Sequence, residues 1–89
     1  MTTVVVTHAV GDMDTWLAGG SQRQELFKGF SSGYKIFRHA EKGEVSIVLE
    51  GVDLEKMKAT LGSSEAAEAK AKHTVIEPVQ IYIEIDGGT

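Results

Sequence analysis

The chain has 89 residues, of which 42% are apolar and 25% charged, with no cysteine and a formal net charge of −4. This composition predicts one small globular domain near the lower size limit for a self-sufficient core, so contact with a second subunit would add stability. The acidic balance argues against nucleic acid as a partner, and disulfides, cysteine-based sites, a signal peptide and a membrane span are not predicted. We therefore expect a cytoplasmic protein that binds small molecules or other proteins.

The first half of the chain passes from strand to helix to strand. Residues 3–10 are dense in β-branched side chains and predict the first strand, and residues 34–40 predict the second after a left-handed turn at Gly33. Between them, Asp12 is a favoured N-cap for a helix over residues 14–30. The core-facing stripe of this helix is predicted as Met13, Trp16, Leu17, Gly20, Gln24 and Phe27.

A pair of glycines interrupts that helix. Gly19 and Gly20 either break it or let it pack closely against another element. If the helix breaks, residues 21–24 (SQRQ) have the form of a capping box that would restart it. We expect a kinked or two-piece helix.

The central strand of the protein is predicted at residues 44–50. Its apolar side chains alternate at Val45, Ile47 and Leu49, whereas Val48 projects to the opposite side, so we expect a strand that is covered on both faces. A short glycine-containing turn joins it to the preceding strand as a hairpin.

Two short helices and a last strand complete the chain. The helices are capped by Asp53 and by a serine at position 63 or 64. Residues 79–85 alternate between apolar and polar side chains and predict a final strand that starts at Pro78, whereas residues 86–89 are expected to fray.

The element order β-α-β-β-α-β predicts a single ferredoxin-like α+β domain over residues 1–89, with a four-stranded antiparallel sheet and the helices on one face. The other face would carry either Val48 or the row of Val45, Ile47 and Leu49, together with Tyr82 and one row of the first strand, which is more apolar surface than a monomer usually exposes. We therefore predict a two-fold homodimer, a dimeric α/β barrel, that packs these faces together around a small lumen.

Two segments resemble a known superfamily. Residues 6–16 (VTHAVGDMDTW) are similar to the opening pattern hydrophobic-x-His-x-Val-x-Asp-hydrophobic-x-x-Trp of small dimeric α/β-barrel proteins, the group related to antibiotic biosynthesis monooxygenases. Residues 33–38 (GYKIFR) resemble the second strand of that group. Its members include cofactor-free oxygenases, haem-degrading oxygenases, lactone isomerases and polyketide cyclases, so the resemblance implies the fold without choosing a reaction.

Three residues are candidates for proton transfer or oxyanion binding. His8 lies near the end of the first strand, where it acts as an acid or base or simply bonds to the backbone. Arg38 and Tyr34 share one face of the second strand. If that face looks into the barrel, they supply a guanidinium and a phenol to a ligand; otherwise they form cross-strand or inter-subunit pairs.

Four further residues are candidates for ligand binding. Tyr82 is predicted on the same barrel face, from the last strand, and Trp16 either anchors the first helix in the core or stacks on a ligand. His73 ends the last helix. Glu50 follows an apolar strand and is a base if desolvated, or else an exposed carboxylate.

Three functions remain open on the sequence. The first is a cofactor-free monooxygenase, isomerase or cyclase acting on a small aromatic or polyketide-like molecule, and the second is a non-enzymatic dimer that binds a small ligand or is purely structural. The third is haem binding through His73, which is disfavoured because the asparagine and tryptophan that accompany this histidine in haem-degrading relatives are missing. No metal site is predicted, because His8 and His39 lie on strands separated by a third.

Overall fold

The computed structural model describes residues 2–85, so the predicted frayed tail at residues 86–89 lies outside the described part of the chain. Each helical segment of the predicted β-α-β-β-α-β pattern is split in two. None of the helices within the described residues combines the length and hydropathy needed to cross a membrane. The elements are β1 (Thr2–Val10), α1 (Met13–Ala18), α2 (Gly20–Lys28), β2 (Gly33–Arg38), β3 (Glu44–Val52), α3 (Leu54–Leu61), α4 (Ser64–Lys72) and β4 (Val75–Ile83).

The strands form one antiparallel sheet with the order β2-β3-β1-β4. In the central pair, Val6 of β1 lies opposite Ile47 of β3, and on the other side of β1 the same residue lies opposite Ile81 of β4. This is the ferredoxin-like α+β fold that the element order predicts, and β3 separates β1 from β2 as expected.

The hydrophobic core lies between the helices and one face of the sheet. β1 and β3 bury alternate side chains on that face, as the period of an extended strand requires. Full burial of each large apolar side chain contributes about 1.5–3 kcal/mol, so this single layer supplies most of the stabilisation. The core consists of Val4, Val6, Val10, Trp16, Phe27, Phe30, Val45, Ile47, Leu49, Val52 and Met57.

Side-chain caps begin three of the helices. Asp12, Asp53 and Ser63 each accept a hydrogen bond from the backbone N–H three residues further on, at 3.1–3.2 Å. These bonds confirm the predicted caps of α1, α3 and α4, and each is worth about 1 kcal/mol.

The predicted capping box at residues 21–24 is not formed. α2 begins at Gly20 with Gly19 as its N-cap, and no side chain caps it. The reason lies in the backbone, because the Gly19 N–H donates to the Trp16 carbonyl at 3.1 Å and the chain re-enters a helix at once. Residue 21 is therefore already inside α2.

The break at Gly19 also changes which residues face the core. Trp16 is buried as predicted, but Leu17 is 50% exposed and Gln24 is exposed, whereas Arg23 is only 5% exposed. The prediction of one continuous apolar stripe was wrong at these positions, because two separate helices do not share one helical phase.

The last strand begins earlier than predicted. β4 starts at Val75, and Pro78 lies inside it. The strand tolerates this proline because β4 is at the edge of the sheet and its pairing with β1 is irregular between Thr7 and Ala9.

The glycine with a left-handed backbone is Gly51, whereas Gly33 begins β2 in the strand conformation. Gly51 has a φ of +59° and lies where the pairing of β1 with β3 shifts register. The absence of a Cβ also leaves room for the Ser32 hydroxyl, which donates to the Glu50 carbonyl at 3.1 Å.

Large apolar side chains project from the sheet face opposite the helices. Val5 pairs with Val48 on one side and with Tyr82 on the other, so the three share this face. Phe37 and Tyr82 there are 53% and 56% exposed. We call the surface formed by Val5, Phe37, Val48, Ile76 and Tyr82 the open face.

We expect Gly51→Ala to lower the free energy of unfolding by about 1–3 kcal/mol, because a side chain is strained at this φ and its methyl group would collide with Ser32. Gly33→Ala is the matched control, since no atom lies within 4 Å of its added methyl group. Chemical denaturation measures both. Equal stability of the two variants would contradict a left-handed requirement at Gly51.

Candidate functional site

A cavity of about 350 Å³ lies between the helices and the covered face of the sheet. Side chains from β1, α1, α2, α4 and β4 contribute to its wall, and most of them are apolar. A mainly apolar wall with a few convergent polar groups is typical of small-molecule sites. The polar residues of the wall are His8, Arg23, Lys70, His73 and Glu77.

Arg23 is the charged group at the centre of this wall. Its guanidinium carbon lies 3.6 Å from the centroid of the Trp16 ring, and its Nη2 donates to the Trp16 carbonyl. The first contact is a cation–π interaction, worth about 2 kcal/mol or more when it is desolvated. α2 is thereby fixed to α1 across the break between them.

No carboxylate neutralises Arg23 in the described part of the chain, where both ion pairs lie elsewhere, between Glu25 and Lys28 and between Lys70 and Glu77. Burial lowers the pKa of Arg23, and the nearby Tyr34 phenol acts in the opposite direction. A guanidinium nevertheless stays protonated in proteins. Because an unpaired buried charge costs several kcal/mol, this cation is incompletely compensated by the protein alone.

His8 presents one nitrogen to the cavity. Its Nδ1 lies 2.9 Å from the Ala9 carbonyl, which accepts a hydrogen bond, so Nδ1 carries the proton and Nε2 has the free lone pair. Nε2 has no hydrogen-bond partner within residues 2–85, yet no fully buried side-chain nitrogen there is left unsatisfied, so Nε2 stays accessible. The ring also packs edge-on against Trp16, at 6.0 Å between centroids.

His8 is held in its neutral form. Burial lowers the pKa of the imidazole from 6.5, the hydrogen bond to Ala9 opposes this, and the positive charge of Arg23 lowers it further. At neutral pH the side chain is therefore a base that can accept a proton at Nε2.

His73 occupies the space that Gly19 leaves free. A Cβ on residue 19 would lie 2.3 Å from the His73 Nε2 atom, so only glycine permits this imidazole beside the break between α1 and α2. Burial lowers the pKa of His73, and the charges of Arg23 and Lys72 lower it further. The close packing predicted for the glycine pair is thus found at Gly19.

A surface ion pair borders the mouth of the cavity. Lys70 Nζ lies 3.3 Å from Glu77 Oε1, and both side chains are largely exposed. Such a pair contributes about 0–1 kcal/mol and opens at little cost.

The predicted site residues fall into two groups. His8, Trp16 and His73 line the cavity, and Tyr34 packs beside it, edge-on to Phe27 at 5.1 Å between centroids. The other predicted residues lie away from this site. Arg38 and Glu50 are exposed on β2 and β3, and Tyr82 is on the open face.

Tyr34 and Arg38 therefore do not share a barrel face with Tyr82. Tyr34 pairs with Leu49 and Arg38 with Val45, which places both on the helix-covered side, whereas Tyr82 projects from the opposite side. The predicted grouping of these three side chains was wrong, because the sequence pattern does not determine which row of each edge strand faces the helices.

Arg23, Lys70 and Glu77 were missed at the sequence level. A signal for Arg23 was present within α2, since it lies four residues before Phe27, which is the spacing of one helical face. No signal connected Lys70 to Glu77, because they lie on different elements.

The three histidines do not converge on a metal site. His39 lies in the turn after β2, where its Nδ1 accepts hydrogen bonds from the backbone N–H groups of Glu41 and Lys42. Between residues 2 and 85, no cluster of three or more His, Asp or Glu side chains is arranged to hold a metal ion.

Comparison with known proteins yields matches among solved structures. No protein-family model matches this sequence, and no curated protein matches it. A Bordetella bronchiseptica protein named as a candidate antibiotic biosynthesis monooxygenase superposes with a TM-score of 0.73 at 20% identity, covering 96% of this chain and 95% of that chain. A second protein, named as an antibiotic biosynthesis monooxygenase, has a TM-score of 0.64 at 10% identity over 96% and 97% of the two chains.

A Mycobacterium tuberculosis protein is also similar over the full length of both chains, with a TM-score of 0.59 at 13% identity. Identities this low establish the fold and leave the activity open. The protein thus has the ferredoxin-like fold of these solved structures, which confirms the fold that the sequence resemblance implies.

We expect the free energy of unfolding to fall as the pH is lowered from about 7 to 5. Burial lowers the pKa of His8 and His73 below 6.5 in the folded state, so in this range the unfolded chain binds protons that the folded chain does not. Between its folded and unfolded pKa values, each histidine then changes the free energy of unfolding by up to about 1.4 kcal/mol per pH unit. Above the unfolded pKa and below the folded pKa, this contribution no longer depends on pH. The charged groups that influence the two rings are Arg23, Lys70, Lys72 and Glu77.

Denaturation at a series of pH values measures this dependence. His8→Gln and His73→Gln should each flatten the slope, and His39→Gln controls for the loss of an exposed imidazole. A slope that neither cavity substitution changes would contradict the buried neutral state of these histidines.

Proposed function

We propose that this protein is a small-molecule enzyme that removes a proton from an acidic C–H group of an aromatic or polyketide-like compound bound in the cavity. The observation that carries the proposal is the accessible Nε2 of a neutral His8 on an apolar wall beside the uncompensated charge of Arg23. The cavity volume of about 350 Å³ supports a ligand of this size, since small-molecule sites span about 300–1,000 Å³.

In the proposed step, the proton moves to His8 Nε2 and the electron pair of the C–H bond delocalises onto a substrate oxygen. The Ala9 carbonyl keeps the ring oriented through Nδ1 and stabilises the imidazolium that forms. The developing negative charge lies near Arg23, a cation that its stacking on Trp16 holds in place, so electrostatic stabilisation needs no rearrangement of this charge.

The low basicity of His8 limits the C–H groups that it can deprotonate. Because burial and Arg23 lower the pKa of His8, it is a weak base and suits only a carbon acid activated by a ring and a carbonyl group. The resulting carbanion can be reprotonated elsewhere, close a ring or react with O₂, and these outcomes correspond to isomerase, cyclase and monooxygenase activity. The names of the similar structures favour the last, and we assign no cofactor to the shared proton transfer.

We further propose that the enzyme works in the cytoplasm as a two-fold homodimer through the open face. Phe37 and Tyr82 on that face are each more than half exposed, and no helix within residues 2–85 covers it. A standard interface removes roughly 800 Å² per subunit from water, which the sheet face of such a domain can provide. Dimerisation would also hold β4, the edge strand that borders the cavity.

Two alternatives differ from this proposal in what they require of the cavity. A purely structural dimer would need no cavity anywhere in the subunit, whereas about 350 Å³ is open between the helices and the sheet. Haem binding would need the His73 Nε2 atom as a ligand, but this atom is turned toward Gly19. A ligand-binding protein without turnover differs only in the assay below.

We expect the wild-type protein to accelerate hydrogen–deuterium exchange at the benzylic position of 2-tetralone, a model carbon acid, followed by proton NMR. His8→Gln should reduce the acceleration by about 100-fold or more, because the general base is lost. His39→Gln, which removes an exposed imidazole in the β2–β3 turn, is the matched control. Exchange that the wild type does not accelerate, or that His8→Gln leaves unchanged, would contradict the proposal.

We expect sedimentation analysis to show a dimer at micromolar concentrations and Val48→Lys to produce monomers, because it places a charge in the centre of the open face. Ala67→Lys adds the same charge to the exposed surface of α4 and should remain dimeric. A monomeric wild type would refute the interface.

A further inference from the structure

We propose that the cavity selects a ligand with a single negative charge, carried by oxygen on a planar apolar ring system, and that Arg23 binds this charge. The proposal rests on the proposed function for the location of the substrate and adds the charge class of the substrate. The shared chemistry is an aromatic monoanion, which is either the ionised phenol or enol that proton removal generates or a carboxylate that presents its charge in the same way.

Arg23 has hydrogen-bond donors that the described residues leave unused. One N–H donates to the Trp16 carbonyl, and one face of the guanidinium is stacked on the Trp16 ring. The remaining donors have no partner within residues 2–85, yet no fully buried side-chain nitrogen there is unsatisfied, so they are accessible from the cavity. A guanidinium presents such donors as a planar fork that matches the two oxygens of a carboxylate.

The described residues form no ion pair that would compensate the positive charge of Arg23. Arg23 is 5% exposed, so its charge has little contact with water apart from the donors that border the cavity. His8 and His73 beside it are neutral, and the described residues place no carboxylate on it. The missing negative charge therefore has to come from the ligand.

The net charge of the cavity wall favours a ligand with one negative charge. Lys70 and Glu77 at the mouth of the cavity pair with each other at 3.3 Å and cancel, so Arg23 alone determines the net charge of the wall. A second negative group on the ligand would have to displace Glu77 from Lys70 or meet an apolar wall. The remaining lining, including Leu26, Phe27 and Val79, accommodates a ring without further polar groups.

Matched ligands test this charge preference on the wild-type protein. 2-Naphthoate should bind at least about tenfold more tightly than its neutral isostere 2-naphthamide, because a charge-assisted bidentate contact is lost in the amide. 2,6-Naphthalenedicarboxylate should bind more weakly than 2-naphthoate. 4-Nitrophenolate compared with 4-nitroanisole distinguishes an ionised phenol from a carboxylate as the preferred anion. Calorimetry measures affinity, and the NMR signal of Trp16, the single tryptophan, reports binding in this cavity.

Arg23→Gln should abolish the preference for the anion, and Arg23→Lys should retain part of it. Lys42→Gln removes one positive charge from an exposed turn and should leave the preference intact. The wild-type comparison of anion and amide decides the matter even if Arg23→Gln does not fold. Equal affinities for 2-naphthoate and 2-naphthamide would overturn the charge assignment. The exchange assay with neutral 2-tetralone would be unaffected by that result. If no ligand changed the Trp16 signal, the cavity would be overturned as the binding site.

Discussion

The stacking of the Arg23 guanidinium on the Trp16 ring is the contact on which the site depends. It joins two short helices across a glycine break, and it places a cation inside a wall that is otherwise mostly apolar. The same break leaves the space that His73 fills. Arg23 thus joins α1 to α2, and its charge also lowers the pKa of the imidazoles of His8 and His73.

The electrostatic state of the cavity follows from its construction. Burial and the nearby charge of Arg23 keep His8 and His73 neutral, so the cavity places two neutral imidazoles near a cation that forms no ion pair within residues 2–85. In the proposed function, this arrangement exists before any ligand binds. Preorganisation matters because dipoles and charges that are already in place need no rearrangement during the reaction.

A second constraint is that short helices can cover only one face of a four-stranded sheet. Val4 and Leu49 are buried under the helices, while Val5 and Val48, their immediate neighbours along the same strands, project from the open face. The cavity and the open face are consequently separated by the thickness of one sheet. This separation explains why Tyr82 is not among the cavity residues although both faces belong to the same strands.

The strands, the caps at Asp12 and Asp53, a serine cap at position 63 or 64, a kinked or two-piece first helix and the ferredoxin-like order could be predicted from the sequence, because they depend on local periodicity and on hydrogen bonds over a few residues. The sequence also singled out His8, Trp16 and His73. The tertiary structure was needed to show that His8, Trp16 and His73 share a cavity with Arg23. It was also needed to show that Tyr34 and Tyr82 lie on opposite faces of the sheet. The helical phase after a glycine break and the facing of an edge strand are set by packing between distant segments, which local patterns do not encode.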